Sequence, residues 1–173
     1  EYVAKFEQNQ SKHRLGRLTD QLSLGAEEQV LDIGCGNALL MPLVADKVKV
    51  YVGVDFSPDF IKKAQAKARA LSISNARFEC RDIVDFCHSN PSSFHSAFAM
   101  DISEHVAEDD WLEILKAVFI ALVPGGKLYL HTPNASFFLE IMKEHNFLIK
   151  QFPEHIAVRN MTDNIRLTEA AGF

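Results

Sequence analysis

The 173 residues predict one α/β domain, a mostly parallel sheet doubly wound by helices on both of its faces. Three observations carry that reading. Short apolar runs, as strands covered on both sides require, alternate with longer amphipathic segments. Turn-forming residues punctuate the alternation, and no linker, repeat or low-complexity tract interrupts it. The composition, 47% apolar and 24% charged, is that of an ordinary globular chain able to bury a core.

The elements follow in order. Residues 1–29 are a helical lead-in, 30–134 the core and 135–173 a closing set of helices. Val30-Leu31-Asp32-Ile33 is the first strand, broken by Gly34-Cys35-Gly36. A helix over 39–46 tolerates Pro42 because it lies near the helix start. Residues 48–54 make the second strand. Ser57-Pro58-Asp59 is a strong helix start, with a hydroxyl cap, a proline in the first turn and an acid at the positive helix end. Ile61, Ala64, Ala68 and Leu71 then recur at helical spacing and face the sheet. Residues 76–80 and 96–100 are strands three and four. Leu112, Leu115, Phe119 and Leu122 mark an amphipathic helix, which Pro124-Gly125-Gly126 ends in a turn. Residues 127–131 form the fifth strand. Helices at 136–145 and 162–171 follow, the second stopped by Gly172.

Charge and cysteines narrow the class. The net charge is −5, and only Lys62, Lys63, Lys67 and Arg69 gather, on one helix face that reads as solvated. A nucleic-acid grip needs a concentrated basic surface, so it is disfavoured. No apolar stretch reaches the ~18 residues of a membrane span, and nothing reads as a signal peptide. Cys35, Cys80 and Cys87 lack the paired spacing of a zinc site or a disulfide framework. Free thiols suit a reducing cytoplasm, where we expect the protein.

Chemistry enters at the first strand. Glycines where a strand turns into a helix let backbone and ligand come close, because no Cβ intervenes. Asp32 stands at the carboxyl end of that strand, where an acid has no structural reason to be buried. Asp55 ends the second strand, 19 residues beyond Gly36, where a carboxylate can accept both hydroxyls of a ribose. A nicotinamide fingerprint would require glycine at position 39, which is Leu39, and has no use for Asp32.

The set Asp32-Ile33-Gly34-Cys35-Gly36, then Asp55, then Arg81-Asp82-Ile83 resembles the class I S-adenosylmethionine-dependent methyltransferases, over about 30–173. The resemblance implies a Rossmann-like sheet in the order 3-2-1-4-5, with 30–134 as the cofactor-binding core and 135–173 on the substrate side. It places Gly34, Cys35 and Gly36 under the methionine part of the cofactor and Asp55, with Phe56 beside it, at the ribose. Asp82 and Ile83 would meet the adenine, although a turn-capping role for Asp82 is the alternative. Asp32 would receive the ammonium. The frequent third glycine is Ala38 here, for which we expect a slightly tighter loop.

Substrates of open α/β sheets lie at the carboxyl ends of the strands, so Asp101-Ile102-Ser103-Glu104-His105 after strand four and His131-Thr132-Pro133-Asn134 after strand five should face the methyl donor. The stretch Ala99-Met100-Asp101-Ile102-Ser103-Glu104-His105-Val106 resembles the ubiquinone-biosynthesis type of small-molecule O-methyltransferase, so Met100 and Asp101 join the cofactor set. Lys12-His13-Arg14-Leu15-Gly16 resembles that subfamily's lead-in, which makes Arg14 a match for an arginine at the cofactor carboxylate. His105 is the candidate base, because imidazole titrates near neutral pH, and Glu104 the group that orients it. A purely local helix-start pair is the alternative. A variant makes Asp101, Glu104, His105 and the distant His155 ligands of a divalent cation, as in metal-dependent small-RNA 2′-O-methyltransferases. We expect no metal to be needed.

The expected activity is thus O-methylation of a small molecule, with RNA 2′-O-methylation and a catalytically idle partner subunit as alternatives, and a homodimer left open. The first residue is Glu and the last are Gly172-Phe173, so we expect the domain to continue past both ends. The resemblance then places a further strand pair beside strand five, whose edge is otherwise bare.

Overall fold

The computed structural model describes residue 19, residues 22–144 and residues 154–173. Five strands form one parallel sheet: β1 (Gln29–Ile33), β2 (Val50–Asp55), β3 (Ala76–Cys80), β4 (Phe94–Met100) and β5 (Leu122–His131). Their order is β3-β2-β1-β4-β5, as the resemblance implies. Among the described residues β5 pairs with β4 alone, so its other side is an open edge.

The helices are α1 (Met41–Val44), α2 (Pro58–Ala70), α3 (Ile83–His88), α4 (Glu108–Ala121), α5 (Phe138–Glu144) and α6 (Met161–Ala171). Starts and stops follow local chemistry. The Ser57 hydroxyl accepts from Phe60 N at 3.4 Å with proline in the first turn of α2, and Gly172 closes α6 in a left-handed turn at φ 111°. Gly172 allows this because it has no Cβ to clash.

Side-chain alternation along the strands builds two cores. Leu31, Ile33, Val52, Val54, Ala97 and Ala99 pack under α3, α4 and α6, with Trp111 and Leu115 wholly buried among them. Val30, Tyr51 and Phe98 face the other way, against Met41 and Val44 of α1 and Ala64 and Ala68 of α2. The sheet is therefore covered on both faces, and what remains open for chemistry is its carboxyl edge.

Three elements differ from expectation. The helix at 39–46 is a four-residue α1 continued by a 3-10 turn at Ala45–Lys47. Helix α3 is an addition; its six residues are too few to show a helical period. The turn at Pro124-Gly125-Gly126 is real but lies inside β5: Phe94 pairs with Leu122 and Ser96 with Lys127, so residues 123–126 bulge between the two pairs. Gly125 supplies φ 78° there, and a Cβ on Gly126 would come within 2.9 Å of the Val123 carbonyl.

Candidate functional site

Three acids stand at the carboxyl ends of three adjacent strands, around a glycine loop. Gly34 and Gly36 take φ 62° and 51°, and Ala38 takes 54°. The third glycine of the pattern is thus replaced by alanine at a left-handed position, which costs about 1–2 kcal/mol, and its methyl group is buried against α1. Gly34 also has no room for a side chain: its Cβ would meet Ile102 Cδ1 at 2.5 Å. That contact ties the loop to the segment after β4. Mid-strand Gly53 works the same way, since a Cβ there would meet Cys35 Sγ at 2.8 Å.

Asp55 holds the loop. Its Oδ2 accepts from Gly36 N at 3.0 Å and its Oδ1 from Ser57 N at 2.8 Å. Burial raises its pKa, against those two N–H groups. A carboxylate has about four lone-pair positions, so two bonds leave capacity for a ligand. Phe56, next in the chain, is 81% exposed, an apolar ring standing in solvent beside the acid. Asp55 also accepts Arg81 N through its backbone oxygen at 3.2 Å, which draws the turn after β3 alongside. There Asp82 caps α3: its Oδ1 accepts from Val84 N at 2.8 Å and Asp85 N at 3.1 Å. The cap uses one oxygen of an exposed carboxylate. Ile83 is buried in the core beneath α3 and α4.

Asp32 is buried, and the Tyr51 hydroxyl donates to its Oδ2. Burial pushes its pKa up to about 7, with the Tyr51 bond opposing and the negative Asp55 adding. Burial and the same two acids push the Cys35 thiol far up, so it is a packing group and not a nucleophile.

On the acceptor side, a 3-10 turn at Ser103–His105 follows β4. Glu104 is 1% exposed; burial raises its pKa most, and the nearby Asp101 raises it further. Ser103 Oγ donates to Thr132 Oγ1 at 2.8 Å, which donates to Glu104 Oε2 at 3.2 Å. His105 is oriented by the Glu154 carbonyl, 2.8 Å from Nδ1, instead of by Glu104. A carbonyl only accepts, so Nδ1 carries the proton and Nε2 the lone pair. The rings of His105 and His155 meet edge to face at 5.0 Å. Glu104, His105 and His155 bring one ligand atom each within 4.8 Å of one another. Burial, then His105, lowers the His155 pKa and favours the neutral ring. Asp101 lies outside that trio. Its carboxylate is 2.8 Å from His131 Nδ1, and its backbone is at φ 53°.

The segment carrying His155 is stitched to the turn carrying His105. Ala157 N donates to the Glu104 carbonyl at 3.0 Å. Buried Arg159 donates through Nη1 to the Ser103 carbonyl at 2.6 Å and through Nη2 to the Val106 carbonyl at 2.8 Å. Arg159, Tyr51 and Gly53 are the site residues that sequence reasoning missed as such, whereas His131 was read at the acceptor side from its place at the end of strand five, without a role. Tyr51 alone had a signal, a polar aromatic on the neighbouring strand, opposite Val30 and on the same face as Asp32. Arg14 lies outside the described residues.

Residues 24–171 match a family model described as a methyltransferase domain. A ubiquinone biosynthesis O-methyltransferase of Xanthomonas campestris pv. campestris is 32% identical over 159 residues, covering 84% of this chain and 65% of the relative. One from Idiomarina loihiensis is 30% identical over 166 residues, covering 92% and 67%. The chain thus spans about two thirds of the length of these relatives. Among solved structures, an S-adenosylmethionine-dependent methyltransferase from Archaeoglobus fulgidus superposes with TM-score 0.73 over 94% of this chain and 67% of its own, at 21% identity, a likeness of fold. No described helix is long and apolar enough to cross a membrane.

Proposed function

This chain belongs to the methyltransferase domain family, and from that premise we propose that it moves the methyl group of S-adenosylmethionine to a hydroxyl of a small molecule. The observation that carries the proposal is the line of Asp32, Asp55 and Asp82 at the ends of β1, β2 and β3 around a left-handed glycine loop. Methyl transfer is an in-line displacement from a sulfonium that is already reactive, so the protein chiefly supplies alignment. Asp55 would take the ribose hydroxyls on its remaining lone pairs, with the Phe56 ring beside the base. Asp82, through the oxygen its helix cap does not use, would meet the adenine amino group, and Ile83 the ring. Asp32 would meet the ammonium, Gly34, Cys35 and Gly36 would lie under the methionine chain, and Met100 and Asp101 would border it. Oxygen as acceptor, and a small molecule as its carrier, are favoured by the two relatives named as O-methyltransferases.

Glu104 and His105 would stand at the acceptor. The closeness of His155 favours a ligand role for His105 over that of base. One carboxylate and two imidazoles, one of them biased to its neutral form, suit a divalent first-row cation. Such an ion would lend Lewis acidity to an acceptor hydroxyl; Glu104, His105 and His155 would hold it, and the Glu154 carbonyl fixes the His105 ring for the task.

Titration calorimetry tests the cofactor reading. S-adenosylhomocysteine should bind at one site, and Asp55→Ala should weaken it by about 1.5–3 kcal/mol, the usual worth of hydrogen bonds to a charged acceptor. Tight NAD binding with no response to the sulfonium cofactor overturns it.

A further inference from the structure

We propose that His131, held by Asp101, is the group that takes the proton from the acceptor hydroxyl; this rests on the methyl-transfer reading above. Strand register places it. Ile33 pairs with Val54 on one side and with Ala99 on the other, and Met100 pairs with His131. One residue further on, Asp55, Gly34, Met100 and His131 form a single row across the carboxyl edge of the sheet. Parallel strands lie about 4.8 Å apart, so His131 stands roughly 10 Å from Gly34, two strands away from the loop.

Alternation fixes the face. Tyr129 stacks on Phe98 at 5.3 Å and belongs to the core under α1. His131, two residues on, shares that face, as do Asp32, two residues after Val30, and Asp55, four after Tyr51. The ring therefore lies on the side of the sheet where the cofactor acids lie. Next to Asp101, Ile102 packs against Gly34 itself, so the dyad and the glycine loop adjoin.

The dyad is built on both strand ends at once. Asp101 N donates to the His131 carbonyl at 2.8 Å, while the Asp101 carboxylate stands 2.8 Å from His131 Nδ1. The carboxylate accepts, so Nδ1 keeps its proton and Nε2 is left with the lone pair. Asp101 holds this pose at φ 53°, a conformation that non-glycine residues seldom take, and both side chains are only part-buried and within reach of a ligand. His105 is placed differently: the ligand atoms of Glu104 and His155 lie within 4.8 Å of its own. The geometry divides the labour between a ligand-like trio and a proton-accepting dyad.

The step balances. The acceptor oxygen bonds the methyl carbon as the carbon–sulfur bond breaks, and that bond pair leaves on sulfur as the neutral thioether. The hydroxyl proton passes to His131 Nε2, and the positive charge of the sulfonium ends on the imidazolium. Asp101, beside that ring, stabilises the charge and is a positioning residue.

The test uses the whole chain, S-adenosylmethionine and catechol as the hydroxyl probe. His131→Asn should lower turnover ~10²–10⁴-fold, the usual worth of general base catalysis. Its affinity for S-adenosylhomocysteine should stay within about twofold, and added imidazole should restore activity to His131→Ala but not to His105→Ala. Nitrogen NMR of the imidazoles gives an arm independent of turnover: His131 should carry its proton on Nδ1, and Asp101→Ala should move it to Nε2. Turnover of His131→Asn within about fivefold of wild type, or an Nε2–H tautomer in the wild type, overturns the proposal. If catechol is not methylated, the tautomer decides. Failure to bind S-adenosylhomocysteine at all indicts the methyl-transfer reading instead.

Discussion

Replacing Asp32 with asparagine isolates what a buried carboxylate costs this fold and what it contributes to the cofactor. Burial holds the Asp32 pKa at about 7 against 3.8 in the unfolded chain. Between those two values the native state keeps a proton that the unfolded state has released. Stability must then fall as pH rises through the window and level off, for this group, above about 7. At about 1.4 kcal/mol per unit, the penalty is ~1.6 kcal/mol at pH 5 and on the order of 4 kcal/mol at pH 8. The amide that Asp32→Asn introduces cannot ionise and still offers an oxygen to the Tyr51 hydroxyl. Urea midpoints should show the variant gaining on the wild type by about 2–3 kcal/mol between pH 5 and pH 8. The proposed cofactor reverses the balance, because its ammonium stabilises the ionised form. Binding near pH 6.5 should release a fraction of a proton, visible as calorimetric heats that scale with the buffer's ionisation enthalpy. Asp32→Asn should abolish that release and weaken binding by about 1.5–3 kcal/mol. Parallel pH slopes for the two proteins, or binding without proton release, would refute the reasoning.

Other perturbations probe the rest of the site. Arg159→Ala removes the donors to the Ser103 and Val106 carbonyls and should cost about 2–4 kcal/mol by urea denaturation, with Arg159→Lys recovering part. Gly34→Ala adds a Cβ 2.5 Å from Ile102 Cδ1 at φ 62°. It should cost about 1–2 kcal/mol and lower Tm by roughly 2–8 °C in a scanning melt. Chelation followed by measured add-back of divalent ions should lower and restore turnover if Glu104, His105 and His155 hold a cation; activity that survives chelation removes the trio from any metal role.

The parts of this molecule that were legible in its sequence are those whose cause is local. Ser57-Pro58-Asp59 dictates a helix start from three adjacent side chains, and the runs at 30–33 and 127–131 announce strands without reference to anything distant. Asp32 and Asp55 were legible for a related reason: an acid at the end of an apolar strand is out of place unless something binds it. Helix α3 escaped because six residues hold under two turns, although Asp82 is its cap and could have signalled it. The bulge at 123–126 escaped because pairing register belongs to two strands at once.

The acceptor side was misjudged for the same physical reason, and that reason argues for where its chemistry lies. Adjacency in sequence suggested that Glu104 orients His105, yet the two side chains, though close, take their hydrogen bonds from different stretches. Each polar group found its partner across the chain: Glu104 in Thr132, His105 in the Glu154 carbonyl, Asp101 in His131. Two of these bonds join the end of β4 to the end of β5, and the third joins it to the segment that Arg159 fastens over the turn. An acceptor site assembled from three separate stretches can change its occupant by altering any one of them, while the cofactor acids at the ends of β1 to β3 stay fixed. Specificity for the acceptor should therefore respond to substitutions at Thr132, His131 and Glu154–Arg159, and cofactor affinity should not.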